Sequence, residues 1–136
     1  MTRYDDRLLD LLAWSVGAVV LLLFAARFFA HTADDAYISF RYAENWARGL
    51  GPVFNAGEPV EGYSNFSWVA ILAFVHLLGP GPPTAAAVLG VACAVALVGL
   101  CVRHGPRTSS AWLRAAAPLW VAASPPLAVW ASAGLE

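Results

Sequence analysis

From Phe66 to Val102 the chain carries no Asp, Glu, Lys or Arg. A stretch that long without a formal charge leaves few options for its folded state. Over the whole chain 60% of the 136 residues are hydrophobic and 12% are charged, against about 25% charged in a soluble domain. The polar residues are too few to cover a core of this size. The class that follows is an all-α integral membrane protein, with about four transmembrane or membrane-embedded helices and an amphipathic juxtamembrane helix in the first loop.

A formal net charge of −1 gives no footprint for a polyanionic partner, and no basic, aromatic-interleaved patch points to nucleic acid. All eight basic residues are Arg. With the wealth of Ala, Gly and Pro, that suggests a GC-rich bacterial genome and hence the bacterial plasma membrane. Cys93 and Cys101 lie in one apolar run, about two helical turns apart. That is too far for a bridge, so they read as small buried hydrophobes. The N-terminus mixes Arg3 and Arg7 with Asp5, Asp6 and Asp10, and the apolar run behind it exceeds a cleavable signal core. It reads as an uncleaved anchor in a multi-pass protein.

Four apolar segments are expected as helices, at about 11–30, 65–79, 84–102 and 111–131. The first is long enough to cross a hydrocarbon core of about 30 Å at 1.5 Å per residue, with Asp10 and Arg27 near enough to its ends to snorkel. The second is short and ends at Gly79-Pro-Gly-Pro-Pro83; the fourth is interrupted by Pro118 and by Pro125-Pro126. Between the first two lies a polar loop, 31–65. Its first half reads as a surface helix over about 35–48, with Ala36, Phe40, Ala43, Ala47 and Leu50 recurring on one face and Arg41, Glu44 and Arg48 on the other. Gly49 is the expected stop. Tyr37, Phe40 and Trp46 would then sit in the headgroup layer. The second half is turn-rich, and Asn55-Ala56-Gly57 can fold Val53-Phe54 back on Val60 as a hairpin.

Charge does not fix the orientation. With the N-terminus in the cytoplasm, Arg103 and Arg107 fall outside if segments two and three both cross, against the positive-inside tendency. Either the short second segment does not cross or the charge rule is overridden.

The sharpest chemical feature is Asp34-Asp35, in the one long polar interval. Two adjacent carboxylates at the mouth of a membrane helix repel unless a cation, a metal or water intervenes. One can act as general base toward an acceptor hydroxyl and the other as ligand for a divalent cation. The structural alternative is a helix N-cap at the positive end of the helix dipole. Arg41 can hold a phosphate or pair with Glu44. Glu58 and Glu61 can join the carboxylates or stand in a solvated loop. His31, His76 and His104 have no metal-ligand spacing.

As a string the loop says more. Asp-Asp-Ala-Tyr-Ile-Ser-Phe-Arg-Tyr-Ala-Glu-Asn from Asp34 to Asn45, with Gly-Leu-Gly-Pro-Val-Phe-Asn-Ala-Gly-Glu-Pro-Val-Glu-Gly-Tyr-Ser-Asn-Phe-Ser-Trp from Gly49 to Trp68, resembles the first extracytoplasmic loop of GT-C type membrane glycosyltransferases. The likeness is closest to actinobacterial arabinofuranosyltransferases of cell-wall arabinan. The tail, Trp130 to Glu136, is similar to a motif those proteins carry after their early helices. The resemblance implies a polyprenyl-phosphate sugar donor and an extracytoplasmic glycan or lipid acceptor. It makes Asp34 the general base and Asp35 the second carboxylate, which either binds a divalent cation (Mg, Mn or Ca) or orients the donor phosphate. Arg41, Glu58, Glu61 and Asn65 become substrate-binding residues. Family members are several times longer, so the chain is expected to be an N-terminal fragment, inactive alone. The competing expectation is a small non-catalytic membrane protein, or inactive fragment, with an acidic interaction loop.

Overall fold

The computed structural model describes residues 3–29, 31–105 and 110–134. Within them the fold is all-helical: α1 (Arg3–Phe28), α2 (Ala36–Ala47), α3 (Phe66–Leu77), α4 (Pro82–His104), α5 (Ala111–Ala122) and α6 (Pro125–Ser132). Ala30, Arg107 and Glu136, which closed or belonged to expected features, lie outside the described residues. Among the described residues two helices are long and apolar enough to cross a membrane: Arg7–Phe28 of α1, at mean hydropathy 2.3, and α4, at 2.6. At 12, 12 and 8 residues, α3, α5 and α6 are shorter than the roughly 20 that a span requires.

Proline chemistry sets several ends. Helix α4 starts at Pro82, earlier than the expected Thr84, because Pro82 and Pro83 occupy a first turn whose N–H groups need no intrahelical partner. The single fourth segment expected over 111–131 is instead two helices. Pro125 and Pro126 supply no N–H to continue α5, and Pro125 opens α6 as its first residue. Pro118, by contrast, stays inside α5 and is fully buried.

The chain divides into two units, Met1–Phe28 with Val91–Ala131, and Phe29–Gly90 with Ser132–Glu136. In the first, Leu21, Ala94, Val98, Ala122 and Ala128 form the core. Gly17 lets the helices close up, since a Cβ there would stand 2.9 Å from Val98 Cγ1 and 3.4 Å from Ala122 Cβ. Similarly, a Cβ on Gly99 would meet Trp14 Nε1 at 3.1 Å. Toward the start of α1, Leu9, Asp10 and Leu12 share a groove with Val102, whereas further along Leu21 shares its core with Ala94, so α1 and α4 run antiparallel. Asp10 does not snorkel alone as expected. Because α1 begins at Arg3, Asp10 lies two turns inside the helix, where its Oδ1 accepts from Arg114 Nη2 of α5 at 2.6 Å. The side chains are 25% and 10% exposed.

In the second unit α2 packs on α3 and the start of α4. Ala36, Phe40, Ala43, Val69, Leu72, Ala73, Ala85 and Ala86 share the core. This corrects the expected headgroup placement of Phe40, which is 4% exposed. The apolar face of α2 is covered by α3 rather than by lipid, and the helix stops at Ala47, leaving Leu50 exposed. The expected Glu44–Arg48 pair forms at 2.5 Å, one helical turn apart.

Candidate functional site

The site begins with the turn that starts α2. The amides of Ala36, Tyr37 and Ile38 donate to the carbonyls of Ala33, Asp34 and Asp35 at 3.0–3.2 Å. Asp35 occupies the N-cap position with φ −64° and ψ −25°, and its carboxylate takes no hydrogen bond from the helix. A capping side chain needs its own residue in the extended region so that it can fold back over the N2 and N3 amides. Asp35 is already helical, so its carboxylate swings outward. The Asp34 side chain likewise has no hydrogen bond among the described residues, and both aspartates are exposed. Capping therefore does not account for the pair.

One turn after Asp35, a polar stripe of α2 faces the loop. Ser39, Tyr42 and Asn45 are buried, and each is hydrogen-bonded to it. Asn65 Nδ2 donates to Ser39 Oγ at 2.9 Å, and Tyr42 donates its hydroxyl to the Val60 carbonyl at 2.8 Å. Asn45 Nδ2 donates to the carbonyls of Val53 and Phe54, each at 2.9 Å. These bonds explain why the expected Val53-Phe54/Val60 hairpin is absent. Side chains of α2 take the carbonyls that a ladder would use, and among the described residues only an isolated Asn55–Glu58 bridge closes the turn, with Gly57 at φ +85°. Arg41 adds a bond from Nε to the Phe54 carbonyl at 3.2 Å rather than pairing with Glu44. Tyr42 packs against Tyr63 and Phe54, with ring centroids 4.5 and 5.8 Å apart. Gly62 is needed beside Tyr42, because a Cβ there would lie 2.8 Å from the Tyr42 hydroxyl.

Two grooves result, sharing Ile38 and Gly62. The polar one, about 270 Å³, is lined by Asp35, Ser39, Tyr63, Ser64 and Asn65 as well. The other, about 340 Å³, adds Tyr42, Phe54, Asn55, Glu58 and Val60. Burial, then the Glu61 charge and then Tyr42 push the Tyr63 phenol above the usual tyrosine range. It stays a protonated donor at neutral pH. Asn65 precedes α3 but does not cap it, its side chain being turned to Ser39.

Of the residues singled out from sequence, Asp35 and Asn65 meet in the polar groove and Glu58 lines its neighbour. Asp34, Arg41 and Glu61 line neither. Ser39 and Tyr63 were missed, although Ser39 stands one helical turn from Asp35 on the same face. The tail is the larger surprise. The Ala33 amide donates to the Ala133 carbonyl at 2.9 Å, and Trp68 Nε1 donates to the Gly134 carbonyl at 3.2 Å. Residues from both stretches that carry the resemblance thus meet at the start of α2. Among the described residues no group of three or more His, Cys, Asp or Glu gathers to hold a metal. Comparison with protein-family models, curated proteins and solved structures gave no match.

Proposed function

We propose that the chain is part of a membrane glycosyltransferase. More particularly, it would be the N-terminal portion of one that moves a sugar from a polyprenyl-phosphate donor to an extracytoplasmic glycan or lipid acceptor. The observation that carries this is the exposed Asp34-Asp35 pair, left uncapped beside a polar groove that Ser39, Tyr63 and Asn65 line. Asp34 takes the proton of the acceptor hydroxyl as its oxygen bonds to the anomeric carbon. The bond from that carbon to the phosphate oxygen breaks, and polyprenyl phosphate leaves. Asn65, Glu58 and Glu61 bind sugar hydroxyls, and Arg41 offsets the phosphate charge. A divalent cation would have Asp35 as a ligand and would supply charge stabilisation to the leaving phosphate; among the described residues no group of three or more His, Cys, Asp or Glu gathers there.

Multi-pass insertion in the bacterial plasma membrane, with the loop outside, is supported by the first unit. Asp10 meets Arg114, and Gly17 lies against both Val98 and Ala122. The start of α1, the end of α4 and the start of α5 therefore share one end, which carries Arg7, Arg103 and Arg114. If α1 and α4 cross and the 12-residue α3 (about 18 Å) does not, all three arginines fall on the cytoplasmic side. Residues 29–81 are delivered to the other face. In a background with Cys93 and Cys101 replaced by alanine, Ala56→Cys should react with an impermeant maleimide in intact cells. His104→Cys should react only after permeabilisation. The reverse pattern would invert the topology.

The catalytic reading is tested on the complete protein of which this chain would be the N-terminal portion, in membranes supplied with a labelled polyprenyl-phosphate sugar and a cell-envelope glycan acceptor. Asp34→Asn should lower transfer by about 10²–10⁴-fold, the usual share of a general base. Helical content should hold, because the carboxylate has no bond to lose among the described residues. Undiminished transfer would remove Asp34 from that role.

A further inference from the structure

The Asp34 carboxylate has no hydrogen bond among the described residues, so its place is set by the backbone that carries it. That backbone is tied through both groups of Ala33. The Ala33 carbonyl accepts from the Ala36 amide at 3.0 Å, within the turn, and the Ala33 amide donates to the Ala133 carbonyl at 2.9 Å. The next carbonyl of the tail, that of Gly134, accepts from Trp68 Nε1 of α3 at 3.2 Å. Residues 132–134 are buried, and Trp68 packs against the core that holds Ala36 and Phe40. We propose that Trp68 is a positioning residue for Asp34. Its indole N–H fixes the strap 132–134, and the strap fixes the peptide from which Asp34 projects. The inference rests on the reading of Asp34 as general base.

Three observations carry it. The two carbonyls taken by Trp68 and Ala33 belong to adjacent residues, so a shift of the strap at one is felt at the other. The strap also lies against α2 itself, since a Cβ on Gly134 would stand 2.6 Å from Phe40 Cζ and 3.4 Å from Ala36 Cβ. Finally, α2 has no side-chain cap to hold its first turn, so the tail is what ties the approach to Asp34. A general base has to stay within hydrogen-bond reach of the proton it takes, and a misplacement of about 1 Å can cost about 10²-fold. Trp68 lines neither groove, so its effect has to pass through what it holds.

The first measurement is hydrogen exchange on this chain in detergent micelles. Trp68→Phe keeps a ring in the core but removes the N–H. The Ala33 amide should then exchange about 2–10-fold faster, the range for one neutral hydrogen bond, while the Phe40 and Leu72 amides keep their rates. An unchanged Ala33 would mean that Trp68 does not hold the strap, and equal acceleration of all three amides would mean a general stabilising contact. Either result overturns the proposal. The second measurement is the transfer assay on the complete protein. Trp68→Phe should lower kcat by about 2–10-fold with KM for the acceptor unchanged, and should lower it no further once Asp34→Asn is present. Gly134→Ala, which presses on the strap from the Phe40 side, should follow the same pattern, with a loss of up to about 10²-fold. The same factor with and without Asp34→Asn would overturn the proposal and leave sugar transfer standing. Undiminished transfer by Asp34→Asn alone would remove the base, and the positioning role with it, whatever the amides show.

Discussion

Replacing Arg114 with alanine is expected to destabilise the first unit by about 1–3 kcal/mol, the range for removing one partner of a partly enclosed polar contact. Arg114 is the more enclosed of the two side chains, at 10% exposed against 25% for Asp10. The cost therefore combines the lost bond to Asp10 with the lost packing of the Arg114 stem. Replacing both partners, Asp10→Leu with Arg114→Met, should recover most of the loss, because neither charge then has to be held in the groove that both line and the apolar side chains refill its wall. Thermal unfolding in detergent across the double-mutant cycle measures the coupling. Single and double variants of equal stability would show that the pair is solvated rather than enclosed.

The second large effect is expected at Gly134. Its φ of +87° lies in the left-handed region, and a Cβ there would stand 2.6 Å from Phe40 Cζ and 3.4 Å from Ala36 Cβ. Phe40 cannot step aside, being itself 4% exposed in the core. Gly134→Ala should cost about 2–5 kcal/mol, combining roughly 1–2 for the left-handed backbone with about 1–3 for overpacking. It should also loosen the contact of residues 132–134 with α2, so that the Ala33 amide, bonded to Ala133, exchanges faster. Gly57→Ala is the control. At φ +85° it has the same backbone demand, but nothing lies within 4 Å of the added atom, so only the conformational part should appear. Equal losses at the two positions would mean that the Phe40 contact contributes nothing.

Much of the helical layout was legible from residue order. The uncharged run from Phe66 to Val102 and the apolar run before His31 demanded helices in an apolar setting, and Pro82, Pro83 and Pro125 marked ends by what their backbone cannot do. Local sequence also fixed the Glu44–Arg48 pair, since residues four apart on a helix are neighbours whatever surrounds them. The candidate site was legible only as a string. Asp34-Asp35 stood out by charge and Asn65 by its place in the motif, but spacing could not say that Asp35 would start α2 already helical, its carboxylate turned outward. Ser39 and Tyr63 gave too little signal, because their roles depend on a loop folding back across α2.

What the sequence determined by itself was class and local conformation, all-helical and rich in apolar surface; it suggested about four membrane helices, where the described residues hold two of spanning length. Periodicity, proline and charge act over a few residues, and those few are always adjacent in the chain. Only the tertiary structure decided partners. It set Arg114 against Asp10, 104 positions apart, and Gly134 against Trp68, 66 positions apart. It also gave the Val53 and Phe54 carbonyls to Asn45 rather than to a hairpin. A buried polar group must be satisfied by whichever partner packing brings within reach, and no local rule names that partner in advance.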